Sequence, residues 1–383
     1  MSKYPYETLS IIEPAFNSNL TDLIIELDYL RKKKLGGSTH PRLFFQLKGL
    51  FHTLESIGSA RIEGNHTTIA EFIETKIEKQ KTQDEKIKEI QNLERAMDFI
   101  DKNINDYPIN DAFIRELHKL VVKNLSSNEE GDEFPGEYRR KNIKISKAIH
   151  IPPDYTQVHD YMEELNKFIN KKDLPKYDLL KTTLTHHRFV WIHPFGNGNG
   201  RVVRLITYAQ LIKSGFNVGK GRIVNPTAIF CNNREKYYDY LSTADLGTYE
   251  GLLGWCEYVL TGLKKEIEKI DHLLDYKYLS EKILLPAIDF SHERKVITKI
   301  ESEILKIAVK KQLFQAGDLK AILPDTIPAQ TSRILNRLKS KNMISSEHKK
   351  SRKYLIDFRN NYLLRGVIKM LDQHDFLPLK NES

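Results

Sequence analysis

The sequence predicts a mainly α-helical protein in which β structure is confined to two short stretches. Apolar residues recur at helical spacing along most of the chain, whereas strand signals are limited to a short candidate segment at 143–151 and an alternating stretch at 343–358. The 383 residues, 40% hydrophobic and 29% charged, hold enough apolar material for two or three domains. We therefore expect a large helical core with two small hairpins.

Composition excludes several classes of protein. No apolar run approaches the roughly 18 residues that span a bilayer, and the opening MSKYPYETLS lacks the apolar centre of a secretory signal. The two cysteines, Cys231 and Cys256, form neither a disulfide framework nor a metal quartet. We therefore expect a cytoplasmic protein that is not inserted in a membrane. The net charge of +9 is compatible with phosphate-bearing partners without being diagnostic of them.

The N-terminal part predicts a series of helices. Residues 19–34 carry a helical apolar stripe, residues 44–57 continue in the same style, and residues 69–115 form a long charged run with no Pro or Gly before residue 107. We interpret that run as one or more solvated helices packed on one face. We assign residues 1–110 to an N-terminal helical region.

The middle of the chain changes texture and then returns to helices. Residues 127–155 are rich in turn formers and contain a candidate hairpin at 143–151, which Pro152 and Pro153 end. Helical patterns resume at 158–169, 179–190 and 201–215. We assign residues 111–260 to the core domain.

The C-terminal part has a pattern of its own. After a helical linker at 261–290, helices are expected at 300–309, 314–323 and 328–341, and a hairpin with a basic turn at 343–358. Three helices followed by a hairpin predict a winged helix-turn-helix in residues 291–383.

The stretch HPFGNGNGR, residues 193–201, carries the strongest chemical signal. Its three alternating glycines permit positive φ, so successive N–H groups can point into one concavity that binds an anion. The helix that follows adds its own free N–H groups, and Arg201 and Arg204 add forked donors that suit phosphate oxygens. His193, just before this turn, can accept a proton from a hydroxyl. The spacing fits neither a Walker A loop nor a Rossmann fingerprint.

HPFGNGNGRVVR resembles the Fic motif, H-x-F-x-[D/E]-G-N-G-R-x-x-R, and the chain is identified as a member of the Fic family from about residue 1 to 260. Most Fic proteins are protein adenylyltransferases, which move AMP from ATP to a Ser, Thr or Tyr hydroxyl of a target protein. The resemblance implies an all-α Fic core with a β-hairpin flap.

The resemblance also implies roles for individual residues. His193 would be the general base, Arg201 would pair with the β-phosphate, and Arg204 would hold the γ-phosphate. The other implied nucleotide-contacting residues are Gly198, Asn199 and Gly200 at the α- and β-phosphates, Lys147, Ala148, Ile149 and His150 in the flap, and Tyr237 and Asp245 near the adenine and ribose. For Tyr237, a core position on a helix remains an alternative.

Asn197 departs from the family pattern, because it replaces the carboxylate that normally binds the magnesium ion between the α- and β-phosphates. An amide oxygen supplies no charge, whereas magnesium prefers anionic oxygens. We therefore expect weaker metal binding and slower turnover with Mg2+ or Mn2+. A rival interpretation is a different Fic chemistry, such as another phosphate-linked transfer or the removal of AMP.

A second motif, SARIEGN at residues 59–65, resembles the inhibitory helix of the family, [S/T]-x-x-x-E-[G/N]. Ser59 and Glu63 lie one helical turn apart and face the same way, and Gly64 can end the helix. If Glu63 pairs with Arg204, ATP binds in an unproductive pose. On its own, the segment would also fit an ordinary helix end with a capping glycine.

The leading hypothesis is a self-inhibited protein adenylyltransferase that uses ATP, modifies a target protein and itself, and contains a C-terminal winged helix. The runner-up is a catalytically weak, nucleotide-sensing regulator. Basic residues of the expected recognition helix and wing leave two partners open, DNA or another protein. A homodimer is left open as well. These basic residues are Arg333, Arg337, Lys339, Lys341, Lys349, Lys350, Arg352 and Lys353.

Overall fold

The computed structural model describes residues 8–33, 38–78, 83–145, 149–217, 223–349, 351–359 and 361–377. Within them the protein is mainly helical, and the strands form one small three-stranded sheet. This confirms the prediction of a mainly helical protein with little β structure. No helix in these ranges combines the length and apolar character that crossing a membrane requires.

The chain divides into two compact units. The first comprises the described residues of Met1–Leu35, Glu55–Thr67 and Thr82–Glu268, and the second those of Gly36–Leu54, Thr68–Lys81 and Lys269–Ser383. The four segments that we assigned from the sequence do not coincide with these units, because helix α2 contributes residues to both. That four-part division stays a prediction.

The helices of the first unit include most of those expected in residues 1–260. The run expected at 69–115 is interrupted twice, so it forms three helices, of which the first belongs to the second unit. The helices are α1 (Asn19–Lys32), α2 (Pro41–Glu63, from Glu55 onward in this unit), α3 (Ile69–Glu78, in the second unit), α4 (Glu85–Asn103), α5 (Asp111–Val121), α6 (Val158–Asn170), α7 (Asp178–Ile192), α8 (Asn199–Lys213), α9 (Thr227–Cys231), α10 (Arg234–Ala244) and α11 (Tyr249–Leu273, which ends in the second unit).

Helices α7 and α8 form the centre of the first unit. Every residue from Leu179 to Phe189 is buried, and α8 is buried from Arg201 to Ile212. A helix buried on all sides lies inside the fold rather than at its surface. The loop HPFGNG joins these two helices. His193 therefore lies at the end of α7, and Arg201 and Arg204 lie in the first turns of α8.

The second unit contains the sheet. Helices α12 (Tyr276–Tyr278) and α13 (Leu285–Glu293) are joined by a π-helical turn, Leu279–Leu284, and α14 (Lys299–Lys311), α15 (Pro328–Ser340) and α16 (Leu363–Gln373) follow. Strands β1 (Phe314–Gln315), β2 (Ile344–Ser346) and β3 (Lys353–Ile356) pair antiparallel in the order β1-β3-β2, with Phe314 opposite Tyr354 and Ile344 opposite Ile356.

The C-terminal pattern agrees with the sequence in outline and differs in one element. The helix expected at 314–323 is replaced by β1 and a short 3-10 helix, Ala316–Leu319, because Phe314 pairs with β3. On α15 and just after it, Arg337 and Lys341 lie 3.0 and 2.8 Å from the buried carboxylate of Glu301. These two cations are therefore engaged inside the unit. The assignment of the unit as a winged helix, and its partner, stay predictions.

The hairpin expected at 143–151 is wrong for the residues that the structure describes. Residues 143–145 and 149–151 lie in no strand, and Lys147 and Ala148 fall outside the described residues. Ile149 is 91% exposed and Ile151 is 64% exposed. A two-stranded hairpin with no apolar face to bury is marginal in water, which accounts for the absence of strands at 143–145 and 149–151.

Candidate active site

His193 ends helix α7 in a left-handed conformation, with φ of 51°. Its N–H still donates to the Phe189 carbonyl at 2.9 Å, and its Nδ1 lies 3.2 Å from the Val190 carbonyl. Nδ1 therefore carries the proton, and Nε2 keeps a lone pair. Burial lowers the pKa of His193 to about 4. The imidazole is neutral near pH 7 and can accept a proton at Nε2.

The loop after His193 is held by its own side chains and by α5. The Asn199 amide accepts a hydrogen bond from the Phe195 N–H and donates one to the Phe195 carbonyl, both at 2.9 Å. The Phe195 ring stacks on His118 at a centroid distance of 3.8 Å. His118 accepts from the Gly136 N–H at Nδ1 (2.8 Å), so its Nε2–H donates to the Asn197 carbonyl (3.1 Å). The loop is thus rigid before any ligand binds.

Asp132 is a second support of this loop, and the sequence did not point to it. Its carboxylate accepts the Asn197 N–H and the Phe134 N–H, both at 2.8 Å. A Cβ at Gly196 would lie 2.9 Å from this carboxylate, so only glycine fits there without a shift. The sequence assigned Gly196 to conformational freedom, but its φ is not positive, so packing against Asp132 is the reason for glycine here.

Helix α8 begins at Asn199, and Gly198 precedes it with φ of 77°. This left-handed residue turns the chain so that the first N–H groups of α8 start just beyond the loop. The free N–H groups and the dipole of a helix start favour an anion. The predicted concavity is therefore formed by backbone that is already in place.

Arg204 and Glu63 form an ion pair over this helix start. Glu63 Oε1 lies 2.6 Å from Arg204 Nη2, and Ser59 accepts from Arg204 Nε through Oγ at 2.8 Å and from Nη2 through its carbonyl at 3.0 Å. Burial raises the pKa of Glu63, but Arg204 and Arg201 outweigh it and hold that pKa below its usual range. A Cβ on Gly200 would collide with Glu63 Oε1, so the carboxylate rests on the anion site itself.

Arg201 is fully buried and lies among acceptors that the sequence did not reveal. Its Nη1 donates to Glu89 at 2.8 Å. Its Nη2 donates to the Glu130 carbonyl at 2.9 Å and lies 3.3 Å from the Asn197 amide oxygen. Glu89 lies on α4, more than a hundred residues away in sequence, so no local spacing could have revealed it.

Comparison with known proteins places this loop in a family. Residues 108–211, which include His193 and both arginines, match the Fic/DOC family. Over these residues the chain is similar to Fic domains. A protein adenylyltransferase Fic from Aedes aegypti is 30% identical over 203 residues, which is 51% of this chain and 37% of the relative. The chain thus spans little more than a third of that relative's length.

Solved structures agree on the fold. A Fic family protein from Desulfovibrio desulfuricans G20 superposes with a TM-score of 0.54 at 19% identity, over 92% of this chain and 99% of that one. Fic-1 from C. elegans, residues 134–508, has a TM-score of 0.52 at 20% identity, over 65% of this chain and 71% of that one. At these identities the likeness concerns the fold alone.

The Asn197 side chain is not arranged to bind a magnesium ion. Its amide oxygen accepts the Gly198 N–H at 2.7 Å and faces Arg201, and its amide nitrogen donates to the Glu129 carbonyl at 2.8 Å. An oxygen turned toward N–H donors and a guanidinium is a poor ligand for a hard cation. In the described part of the chain, no three His, Cys, Asp or Glu residues form a metal-binding group.

Tyr237 and Asp245, which the resemblance implies near the adenine and ribose, both contact buried histidines of α7. Tyr237 is 2% exposed, and its hydroxyl lies 2.9 Å from His186, so it offers no open ring face in this arrangement. Asp245 pairs with His187 at 2.9 Å. Their contacts with a nucleotide stay predictions, and for Tyr237 the buried ring is the core position that the sequence left as the alternative.

Arg139, which sequence reasoning also missed, links the loop at residues 193–198 to the segment that the resemblance implies as the flap. Its Nε donates to the His193 carbonyl at 2.9 Å, and its other nitrogens donate to the carbonyls of Lys141 and Pro153. At the flap itself, the His150 ring lies 2.9 Å from the Trp191 carbonyl. One buried arginine therefore fixes both ends of the segment relative to His193.

Proposed function

We propose that this protein transfers AMP from ATP to a hydroxyl group of a protein, itself included. The observation that carries the proposal is the neutral imidazole of His193, with Nε2 free to accept a proton, next to the N-terminal turn of α8 and Arg204. The name of the Aedes aegypti relative, protein adenylyltransferase Fic, supports the same reaction. ATP is the substrate in this proposal.

The chemistry follows from charge and position. The target hydroxyl oxygen attacks the α-phosphorus while its proton passes to His193 Nε2. The bond between the α-phosphorus and the bridging oxygen breaks, and pyrophosphate leaves. The first N–H groups of α8 and the two arginines stabilise the negative charge that develops on the phosphates.

We further propose that Glu63 keeps the enzyme inactive. Its carboxylate lies on Arg204 and against Gly200, where the phosphates would bind. Arg204 cannot hold the γ-phosphate while it holds Glu63, so ATP would bind without its α-phosphorus aligned to His193. The inhibitory helix is then the last part of α2, closed by Gly64 with φ of 109°.

The test uses two labels on ATP. The Glu63→Gly protein should incorporate radiolabel from the α-phosphate and none from the γ-phosphate, and Glu63→Gly/His193→Ala should incorporate neither. Incorporation of the γ-label would mean a different phosphate transfer. Equal α-labelling of wild type and Glu63→Gly would end the inhibition proposal.

A second candidate is a catalytically weak, nucleotide-sensing regulator, which Asn197 favours because its amide adds no charge at the phosphates. This candidate predicts nucleotide binding with no α-label transfer, even in Glu63→Gly with Mg2+ or Mn2+. The labelling experiment therefore separates the two candidates directly.

A further inference from the structure

Arg201 forms a buried ion pair with Glu89 of α4. The side chains of Arg201 and Glu89 are each 1% exposed, so the pair is shielded from water. The second terminal nitrogen of Arg201 lies between the Glu130 backbone and the Asn197 amide, with the half-exposed Glu130 carboxylate 3.0 Å away. Among the described residues, Nε of Arg201 has no hydrogen-bond partner. The Nε–H of the charged Arg201 side chain is therefore a buried donor without an acceptor among the described residues.

Glu89 is itself held in place through its other oxygen. Glu89 Oε2 accepts from the Asn65 side chain at 2.7 Å, and the same amide nitrogen donates to the Lys86 carbonyl at 2.9 Å. The Asn65 amide oxygen accepts the Thr67 N–H at 2.9 Å. With one oxygen on Arg201 and the other on Asn65, the carboxylate has little freedom to rotate.

Asn65 belongs to the segment that carries Glu63. The Asn65 N–H donates to the Ala60 carbonyl at 3.1 Å, which closes the end of α2. A continuous path of polar contacts therefore runs from the end of α2 through Asn65 and Glu89 to Arg201. This path is separate from the direct pair between Glu63 and Arg204.

We propose that Glu89 is a positioning residue, which holds the Arg201 guanidinium so that its Nε–H remains available to a β-phosphate oxygen, and that Asn65 holds Glu89. This inference rests on the proposed function for the role of Arg201. A guanidinium is planar and its donors are fixed in a fork, so fixing Nη1 and Nη2 also fixes the direction of Nε. A buried N–H without a partner is costly, and a bound phosphate oxygen removes that cost.

The arrangement predicts a specific effect on nucleotide affinity. Arg201 is assigned to the β-phosphate, so a misplaced guanidinium should weaken ADP and leave AMP unaffected. A carboxylate that merely stabilises the fold would weaken both nucleotides or neither. A carboxylate that competes with the phosphate would make ADP bind more tightly after its removal.

The experiment measures ADP and AMP dissociation constants by calorimetry in the full chain carrying Glu63→Gly. Adding Glu89→Gln should weaken ADP about 10-fold, within the usual range of coupling between sites, and change AMP by less than about twofold. Asn65→Ala should weaken ADP in the same direction by a smaller factor. Asp98→Asn, which removes a charge from the exposed side of α4, is the matched control and should change neither.

The outcomes decide the inference without reference to catalysis. Unchanged or tighter ADP binding in Glu89→Gln, or parallel loss of ADP and AMP, overturns it, and so does a Glu63→Gly protein that binds no ADP. If Glu89→Gln does not fold, as its melting curve would reveal, Asn65→Ala decides in the same way. If ADP behaves as predicted but no AMP is transferred, the positioning role stands and the proposed function fails.

Discussion

At the residue scale, His193 combines a left-handed backbone with a neutral side chain. It is a non-glycine residue in a left-handed conformation, which costs energy and occurs often at functional sites. It also sits in an environment that keeps the ring neutral. Burial supplies the second property and the contacts of Arg139 and Val190 compensate the first. A base of this kind is ready near pH 7 without a partner carboxylate.

The rate of AMP transfer should therefore be insensitive to pH in the physiological range. The pKa of His193 is lowered in the folded protein to about 4, so protonation inactivates the base only below about pH 5. In Glu63→Gly, the initial labelling rate should vary by less than about twofold between pH 6 and 8. A rate that rises with a midpoint at the ordinary histidine value would contradict this assignment.

Asn197 makes a second prediction at this scale. Asn197→Asp adds a carboxylate beside the phosphates, which suits a divalent cation better than an amide does. In the Glu63→Gly background, we expect the Mg2+ concentration for half-maximal labelling to fall about 10-fold. Asn197→Ser, which adds no charge, is the control. If the aspartate and serine variants need the same concentration, the metal site does not involve this position.

At the element scale, the end of α2 closes the active site by several contacts that act together. Ser59 and Glu63 both accept from Arg204 of α8, and Asn65 donates to Glu89 of α4. One turn earlier, Glu55 accepts the Thr227 N–H, and burial raises the pKa of Glu55 to about 8. The helix end therefore binds through polar contacts in a buried setting, where each lost partner is costly.

Ser59→Ala should loosen this element without removing Glu63. It deletes the hydroxyl that accepts from Arg204 Nε at 2.8 Å, and a hydrogen bond from a charged donor contributes about 1.5–3 kcal/mol. We expect auto-labelling above that of wild type and below that of Glu63→Gly. Ser56→Ala, on the same helix and facing Met97, is the control. No increase in Ser59→Ala, or an equal increase in Ser56→Ala, would refute this role.

In the second unit, Thr298 caps α14 together with Glu301 in a reciprocal capping box. Thr298→Ala should reduce the free energy of unfolding by about 1 kcal/mol. Thr298→Ser keeps a hydroxyl and should therefore retain most of the stabilisation that the cap provides. Urea denaturation followed by circular dichroism measures both variants. Equal stability of the alanine and serine variants would mean that the cap contributes little.

At the scale of the whole molecule, the sequence predicted what depends on local pattern. Helical spacing located most helices, and the motifs located His193, Arg204 and Glu63, because their chemistry is written in short, contiguous stretches. The structure added what depends on distant segments: Glu89 on Arg201, Asp132 under the loop, and Arg139 between loop and flap. For none of these three residues does the local sequence indicate the residue that it contacts.

The error at the hairpin has a physical reason as well. The hairpin at 143–151 was inferred from a short segment between turn formers and from resemblance, neither of which reports whether a strand has a partner. The nucleotide contact of Tyr237, implied by resemblance, stays a prediction, and the burial of its ring depends on packing with His186 and Phe230. Sequence pattern and resemblance indicate which structures a segment can adopt, and tertiary contacts determine which of them forms.

The central claim is that a triphosphate and the Glu63 carboxylate compete for the start of α8. The most direct measurement is a crystal structure of the Glu63→Gly protein with an ATP analogue that cannot be cleaved. We predict the γ-phosphate on Arg204, the other phosphates on the first N–H groups of α8, and the α-phosphorus facing His193 Nε2. Nucleotide bound elsewhere, with this helix start empty, would contradict the account.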